Sequence, residues 1–471
     1  MHDATKDLAL LERIKRVTPR RSRLLDDRTR SELTGLTTRL LAASPGSAAE
    51  LERYLAVRQR SIDLPDRQVG ERLRGRVVLV TGGSGCIGRA LLDQLARFQP
   101  ARVVVVSLAP PARPEPGVEH YRLDIRDGAA LTELVRRVLP DVVFHLAAQR
   151  DPGLAERAVH LTVTTNVLGT RNLIEACARA GVGQLVYAST GKALRPYSSD
   201  VYAATKRASE SLVADAAARG ALPGSAVRFT HVVDNSIVLD RFLRWCRAGE
   251  PMRLHSVETM FYVQSALESA QLLLAAALSP RDDLLRVHAI RDLGWPFNVL
   301  HLALGVMAEQ KAVVPLQVVG HEPGYEKRPY PGLYDPALSG GISPLLNALE
   351  APTVQVGPCD QVDVAPTRVS LTGQLNGTLE RLDELCAIAP DDDSAVRAAF
   401  DDLAWGLLER TLRATPRRVL RRVTQLTAEH RAEMSGEHLR MDDLVRSCAG
   451  LAGPRARRRQ AAPADVYADA G

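Results

Sequence analysis

The sequence has few aromatic residues and no clustered metal ligands. Phe, Trp and Tyr make up 4% of its 471 residues, so its core must be mostly aliphatic. The six cysteines are widely spread, with no CxxC pair, and the histidines do not cluster. This pattern argues against a disulfide framework and a zinc site, so we expect no bound metal and a reducing, cytoplasmic setting.

Long apolar runs are also missing. The longest, such as LLLAAAL at 272–278, fall well short of the roughly 20 residues that a membrane-spanning helix needs. The first sixteen residues, MHDATKDLALLERIKR, are charged throughout and lack the apolar region of a signal peptide. The net charge of +6 has its main local source in RARRR at 455–459. We expect no membrane span, no nucleic-acid partner and a disordered basic tail at 453–471.

From Gly75 onward, short β-branched runs alternate with helical patterns. Runs such as RVVLV (76–80) and QLVYAST (184–190) are apolar on both faces, which is typical of parallel strands covered by helices on both sides. The alternation predicts βαβ units and an α/β fold with a doubly wound parallel sheet. Helical patterns precede it at 1–73 and follow it at 350–452, and we expect these to be additions to the sheet domain.

The turn TGGSGCIG (81–88) follows the first predicted strand. Its glycines stand three residues apart, and glycine lets the backbone turn tightly and approach a pyrophosphate at the positive end of the next helix. Because the turn ends a strand, opens a helix and begins a βαβ series, it predicts a dinucleotide site. The residues expected to contact the cofactor here are Gly82, Gly85, Cys86, Ile87 and Gly88.

Two later strand ends fit the same nucleotide. Asp124 closes YRLD, where a carboxylate can accept a hydrogen bond from an adenine amino group, and Ile125 follows it. Ala147 and Ala148 are small at a point where backbone must pass close to the cofactor, although helix packing explains alanines equally well.

The choice between NAD and NADP depends on the end of the second strand. VVVVSLAPPAR lacks the acidic residue that would hold an NAD ribose. Ser107, with Arg113 six residues further on, can instead receive a 2′-phosphate. The sequence therefore leaves both cofactors open, with a slight preference for NADP.

The stretch STGKALRPYSSDVYAATK (189–206) carries the candidate catalytic residues, of which Tyr202 and Lys206 are also expected to contact the cofactor. Tyr202 and Lys206 are one helical turn apart and share a face. A lysine ammonium near a phenol lowers its pKa, so that the tyrosine can exchange a proton with a substrate hydroxyl while a nicotinamide takes the hydride. Ser189 or Thr190, at the end of the preceding strand, can hydrogen-bond that hydroxyl. A surface helix pair is the alternative interpretation.

With these motifs, residues of about 75–330 resemble the extended short-chain dehydrogenase/reductase family. The resemblance rests on TGGSGCIG, DVVFHLAAQRD, TNVLGT, VYAST and YAATK. It is strongest to nucleotide-sugar enzymes of polysaccharide biosynthesis, especially inverting UDP-N-acetylglucosamine 4,6-dehydratases, whose active-site stretch reads approximately STDKAxxPxxxYGATK. It implies a Rossmann-type domain at 74–349 with a small substrate-binding region at about 228–345, a nucleotide-sugar substrate, and a homodimer.

The resemblance also implies roles for single residues. Counterparts of the family stretch are Lys192, Pro196, Tyr202 and Lys206. Lys192 would be a candidate base at C5 of the sugar, and Asn166 of TNVLGT would help to shape the active site. VRFTHVVDNS (227–236) and HEPGYEKRPYP (321–331) are similar to the family's VRYGNVxGS and PGEK stretches.

One position departs from the family pattern. Those dehydratases have an Asp before the Lys, and this chain has Gly191, so the acid that helps to expel the C6 hydroxyl is missing from its usual place. Asp200 or Asp234 can replace it from elsewhere in the fold. His231 is a further candidate, although a structural histidine is the simpler interpretation. The change leaves oxidation at C4 intact and is compatible with epimerisation.

Three functions remain open on these grounds. The leading hypothesis is an NAD(P)-dependent nucleotide-sugar epimerase or dehydratase that works through a transient 4-keto sugar. The second is an NADPH-dependent ketoreductase or dehydrogenase of a specialised metabolite. The third is a non-catalytic Rossmann-type binding protein, against which the Tyr202/Lys206 pair argues. The arginines of PRRVLRR (416–422) either meet a diphosphate or line a solvated helix face, the simpler explanation.

Overall fold

Strands alternate with helices through the middle of the chain, as the apolar runs predict. The computed structural model describes residues 2–19, 24–109, 115–321, 329–335, 337, 340–367, 369, 371 and 373–451. The strands are β1 (Val77–Thr81), β2 (Arg102–Ser107), β3 (Val118–Arg122), β4 (Val142–His145), β5 (Gln184–Thr190), β6 (Gly224–Phe229), β7 (His231–Val232), β8 (Met252–Leu254), β9 (Met260–Phe261), β10 (Val263–Gln264), β11 (Leu285–Ile290), β12 (Phe297–Asn298), β13 (Leu316–Val318), β14 (Gln355–Val356) and β15 (Val362–Thr367).

Helices lie before, between and after these strands. They are α1 (His2–Val17), α2 (Asp27–Ala43), α3 (Ser47–Ala56), α4 (Asp66–Leu73), α5 (Cys86–Ala96), α6 (Gly128–Val138), α7 (Pro152–Arg157), α8 (Val159–Val163), α9 (Gly169–Arg179), α10 (Val201–Ala218), α11 (Ile237–Ala248), α12 (Ala266–Ala276), α13 (Val299–Glu309), α14 (Gly373–Ile388), α15 (Asp393–Ala414), α16 (Arg417–Ala428) and α17 (Gly436–Cys448). None of the helices in the described ranges combines the length and apolarity needed to cross a bilayer.

One sheet of nine strands organises the described part of the chain, in the order β14-β15-β11-β6-β5-β4-β1-β2-β3. Neighbours from β3 to β11 are parallel, while β15 and β14 add antiparallel at the far edge. The order 3-2-1-4-5-6 is that of a doubly wound Rossmann fold, so the predicted fold class is confirmed. The strand order reverses between β1 and β4, and ligands bind such sheets beyond the carboxyl ends of the strands there.

The N-terminal helices pack on the region that follows β6. Leu36 of α2 and Tyr54 of α3 lie in one hydrophobic cluster with Phe242 of α11 and Leu304 of α13. At Gly305 the fit is so close that a Cβ atom would lie 2.4 Å from the Ser47 carbonyl oxygen. These helices therefore form a packing layer over residues of the predicted substrate-binding region.

The C-terminal helices have a small core of their own and also touch the sheet domain. Leu408, Leu420 and Met441 pack together with Tyr330 in this core. Helix α15 also packs on α8 and α10, so its second face lies against the sheet domain. The C-terminal region therefore reaches the helix that carries YAATK.

Candidate active site

The glycine turn fits tightly against the end of β4. Gly82 has φ +73°, and a Cβ atom there would lie 2.7 Å from the backbone nitrogen of Ala147. A Cβ atom at Gly88 would lie 2.5 Å from the Gly83 carbonyl oxygen. Helix α5 begins after Gly85, which has no side chain to cap the first amides of the helix. A tight turn, close backbone and uncapped amides fit a nucleotide pyrophosphate.

Substitution of Gly82 by alanine is expected to abolish dinucleotide binding. The methyl group would need both a left-handed backbone and space that the Ala147 amide occupies. Gly181→Ala is the matched control, because Gly181 has φ +68° and nothing within 4 Å of its Cβ position. Isothermal titration with NAD and NADP checks the result; equal affinity in the two variants would contradict the prediction.

The other predicted nucleotide contacts lie around this turn, at the ends of β2, β3 and β4. The Ser107 hydroxyl accepts a hydrogen bond from the Ser84 amide at 3.3 Å, so it supports the glycine turn. Asp124 is bound by Arg126, whose guanidinium keeps the pKa of that carboxyl below its usual range. Ile125 is buried against Gly169. Arg113 lies outside the described residues.

Asn166 clamps the loop that leaves β4. Its side chain accepts from the Gln149 amide at 2.8 Å and donates to the Gln149 carbonyl at 3.0 Å. It lies in a π-helical segment, Thr164–Leu168, where the Asn166 carbonyl accepts from the hydroxyls of Ser209 and Thr170. Single π turns are frequent at functional sites. The Asn166 side chain thus holds the loop after β4, and its backbone carbonyl links α9 to α10.

Tyr202 and Lys206 lie on α10 facing the end of β5. The Thr190 side chain lies close enough to the Tyr202 phenol to act to lower its pKa, but burial has the larger effect and raises that pKa to about 12. Lys206 Nζ donates to the Ala188 carbonyl at 2.5 Å, and burial lowers the Lys206 pKa to about 7. The direction at Tyr202 is opposite to the one the sequence predicts, because burial disfavours a phenolate and the Lys206 ammonium is directed at a backbone carbonyl.

Strand alternation separates the two hydroxyls that the sequence left open. Thr190 faces Tyr202, whereas the Ser189 hydroxyl donates to Glu210 Oε1 at 2.6 Å on the buried side of the strand. Thr190 is therefore the hydroxyl beside the phenol, and Ser189 belongs to the support beneath it.

That support is a buried ionic cluster which sequence reasoning missed. Arg228 of β6 is fully buried and binds Glu210 through Nε and Nη2, both at 2.9 Å. It also binds Glu350 at 2.8 and 2.7 Å, and Arg207 reaches Glu210 at 3.0 Å. An arginine inside the apolar run SAVRF is the one signal in the sequence that could have indicated such a partner.

Lys192 is paired with a carboxylate that comes from a different part of the loop. Its Nζ donates to Asp200 Oδ2 at 2.9 Å and lies 6.0 Å from the centre of the Tyr202 ring. The Lys192 side chain is 28% exposed and that of Asp200 is 5% exposed, so the lysine faces the cleft and the carboxylate stands behind it. Asp200 also caps α10 by accepting from the Ala203 amide.

The absence of a side chain at Gly191 has a steric reason. A Cβ atom there would lie 2.7 Å from Leu345 Cδ2 and 3.4 Å from the Phe229 carbonyl oxygen. Leu345 belongs to the segment that leads to Glu350, the partner of Arg228. The space that an acidic side chain would need at position 191 is thus filled by a later part of the chain.

Asp234 and His231 take structural partners instead. Asp234 accepts from the Ala266 amide at 2.7 Å, at the start of α12. His231 Nε2 lies 2.7 Å from the Ser236 hydroxyl and 3.0 Å from the Tyr54 hydroxyl, and burial lowers the His231 pKa to about 4. Of the three replacement acids that the sequence allows, Asp200 is the one that meets Lys192.

Other segments that the sequence singled out either bind residues away from this site or lie outside the described residues. Arg422 of PRRVLRR binds Asp335 at 2.9 and 3.1 Å. Residues 322–328 of HEPGYEKRPYP and the tail at 453–471 lie outside the described residues. Within the described ranges no three His, Cys, Asp or Glu side chains come together as metal ligands would.

Known proteins are similar in sequence to part of this chain. The probable polysaccharide biosynthesis protein EpsC of Bacillus subtilis is 27% identical over 287 residues, covering 56% of this chain and 46% of EpsC. An inverting UDP-N-acetylglucosamine 4,6-dehydratase of Campylobacter jejuni is 32% identical over 143 residues, covering 29% of this chain and 42% of that enzyme. The chain therefore spans about half the length of the curated relatives it matches.

A solved structure and a family model complete the comparison. The X-ray structure of Pen from Bacillus thuringiensis superimposes with a TM-score of 0.52 and 19% identity, over 64% of this chain and 89% of Pen, which supports the fold alone. The model of the polysaccharide biosynthesis protein family matches residues 78–328, from β1 to beyond β13. The chain belongs to this polysaccharide biosynthesis protein family, within the extended short-chain dehydrogenase/reductases.

Proposed function

We propose that this protein is an NAD(P)-dependent nucleotide-sugar dehydratase or epimerase that works through a 4-keto sugar. The observation that carries the proposal is the Lys192–Asp200 pair, 2.9 Å apart, with Lys192 Nζ 6.0 Å from the centre of the Tyr202 ring. Hydride transfer needs one proton-exchanging group, and the second pair provides acid–base chemistry at a neighbouring carbon. A simple ketoreductase does not require this second acid–base pair.

The nucleotide end of the cleft fits a dinucleotide. Gly82 and Gly88 hold the turn where any Cβ would collide with backbone, and the first amides of α5 follow directly. When bound there, a nicotinamide would supply the hydride acceptor for C4 oxidation. The Ser107 hydroxyl binds the glycine turn, so it does not distinguish a free ribose from one with a 2′-phosphate. The proposal therefore covers both NAD and NADP.

The Lys192–Asp200 pair can make the proton transfers at both C5 and C6. As a phenolate, Tyr202 takes the proton of the C4 hydroxyl while that carbon is oxidised, and the Thr190 hydroxyl orients the oxygen. A positively charged nicotinamide ring bound in the cleft would favour this phenolate against the effect of burial, and the phenol proton would leave to solvent. Passage of a proton from Lys192 Nζ to Asp200 Oδ2 leaves a neutral amine, which removes the acidified C5 proton; the ammonium so formed protonates the C6 hydroxyl as it leaves as water. After water leaves, return of the hydride to C6 and of a solvent proton to C5 would give a 4-keto-6-deoxy sugar. Without loss of water, return of the proton to the other face of C5 and of the hydride to C4 would give an epimer.

The test is incubation of the purified protein with UDP-N-acetylglucosamine and NAD or NADP in deuterated water. We expect a product that is lighter by one water and carries solvent deuterium, detected by mass spectrometry. Lys192→Met should lower this turnover by about 10²–10⁴-fold, the range for loss of an acid–base group. Lys311→Met, at an exposed helix end, is the matched control and should leave it unchanged.

Other results of this incubation would distinguish between the alternative reactions. An unchanged composition with deuterium incorporated, or a new isomer on chromatography, would assign epimerisation. Stoichiometric consumption of NADPH with a ketone substrate would assign a net reductase. No change in UDP-N-acetylglucosamine or UDP-glucose with either cofactor would refute the proposal.

A further inference from the structure

The loop 195–200 is held by helices that lie outside the family match at 78–328. This loop joins the turn that carries Lys192 to α10, and its last residue is Asp200. Helices α15 and α17 cross over it from the C-terminal region.

Contacts from the C-terminal helices converge on the residue just before Asp200. Glu437 of α17 accepts from the Ser199 amide at 3.2 Å and from the Ser199 hydroxyl at 3.0 Å. Arg397 of α15 donates to the Ser199 carbonyl at 2.9 Å. The amide, the hydroxyl and the carbonyl of one residue are therefore all bound by two side chains from the C-terminal region.

Val201, the residue just after Asp200, is linked to Arg397 through the side chain of Glu156. Arg397 Nη1 donates to Glu156 Oε2 at 2.8 Å, and Glu156 Oε1 accepts from the Val201 amide at 2.9 Å. The Glu156 side chain is 7% exposed, and the Arg397 guanidinium compensates its buried charge. Both neighbours of Asp200 are thus fixed by charged groups, and charge-assisted hydrogen bonds are the stronger kind.

Aromatic packing adds a third contact to the same loop. The rings of Tyr197 and Trp405 meet edge to face with centroids 4.9 Å apart, and the Arg440 guanidinium lies 3.9 Å above Trp405. Contacts of this kind add to area burial. The loop is consequently held at its apolar and its polar positions by one layer of helices.

We propose that Arg397 and Glu437 are positioning residues of the active site, which fix the Lys192–Asp200 pair from the C-terminal helices. This inference rests on the proposed function for its catalytic consequence, but the physical clamp is independent of it. A shift of the loop would separate Asp200 from Lys192, whereas Lys206 would stay bound to the Ala188 carbonyl.

The test compares Glu437→Ala with Glu429→Ala, an exposed change at the end of α16. Hydrogen exchange of the 197–201 amides and the rate of amine-reactive labelling of Lys192 are measured by mass spectrometry on the full chain. We expect at least a tenfold increase in both for Glu437→Ala, and no change for Glu429→Ala. Arg397→Lys, which keeps a cation, should fall between them.

Turnover of the nucleotide sugar is the second measurement. Glu437→Ala should lower kcat for water loss or epimerisation at least tenfold, leave KM and NAD affinity within about twofold, and be partly rescued by Glu437→Gln. Unchanged exchange and labelling would overturn the clamp. Faster exchange with unchanged kcat would overturn its role in catalysis. If the native protein turns over no sugar while the exchange result holds, the proposed function fails and the clamp stands.

Discussion

Tyr202→Phe is expected to lower turnover of the nucleotide sugar by about 10²–10⁴-fold, the range for loss of a general acid–base group. The phenol is the group next to Thr190 at the end of β5, and phenylalanine leaves no hydroxyl to exchange a proton with C4. Because the ring itself is retained, the buried packing changes little, and the lost hydrogen bond costs about 1 kcal/mol of stability.

Steady-state kinetics and NAD titration together check this prediction. We expect a fall in kcat with the NAD dissociation constant unchanged, since the glycine turn is distant in sequence and is built by other residues. Tyr121→Phe makes the same chemical change on β3, where the hydroxyl contacts Glu119 near the surface, and should be as active as the native protein. A Tyr202→Phe variant that keeps more than a tenth of native turnover would exclude Tyr202 as the proton-exchanging group.

Arg228→Met is expected to lower the free energy of unfolding by about 3–5 kcal/mol, the cost of breaking a buried ion pair from one side. Arg228 is fully buried and binds both Glu210 and Glu350, so its removal leaves two buried carboxylates with Arg207 as their remaining cation. Urea denaturation followed by circular dichroism measures the change. Arg136→Met removes an exposed pair with Glu133 and should leave the free energy of unfolding nearly unchanged.

The pH dependence of this difference has a definite sign. The arginines hold the pKa of Glu210 below its ordinary value of 4.5 against the effect of burial. A carboxyl with a lowered folded pKa adds stability above its unfolded pKa, and that contribution is lost as the pH falls. The native protein should therefore lose stability below about pH 4.5, and the gap to Arg228→Met should narrow there. Arg228→Lys, which keeps one charge but not the planar fork, should be intermediate. A constant gap from pH 7 to 4 would contradict this account.

Local sequence signals were sufficient for much of the fold and part of the site. The apolar runs and the spacing of the glycines around Gly82 predict a parallel sheet and a close backbone approach, because strand and turn geometry depend on neighbouring residues. The helical spacing of Tyr202 and Lys206 likewise places both on one face of α10. Their pKa directions could not be read in this way, since burial is set by the whole fold.

The remaining features of the site depend on contacts between distant parts of the chain. Strand alternation could have separated Ser189 from Thr190, but only once the bounds of β5 were known. Leu345 beside Gly191 and Glu350 on Arg228 join segments more than a hundred residues apart, and no local pattern reports such contacts. The pairing of Asp200 with Lys192 also depends on contacts between distant segments, because the C-terminal helices hold the loop that joins these two residues.

The shared core of α3 and α13 has a consequence for synthesis of the chain on the ribosome. Helix α3 ends at Ala56, whereas the helix that covers it begins at Val299. At roughly 5–20 residues per second, α3 leaves the ribosome about 10–50 s before its partner. Throughout that interval the apolar faces around Leu36 and Tyr54 lack the α11 and α13 side chains that pack on them in the fold. Newly made chains are therefore expected to bind holding chaperones through their first sixty residues and to release them only after α13 has been made.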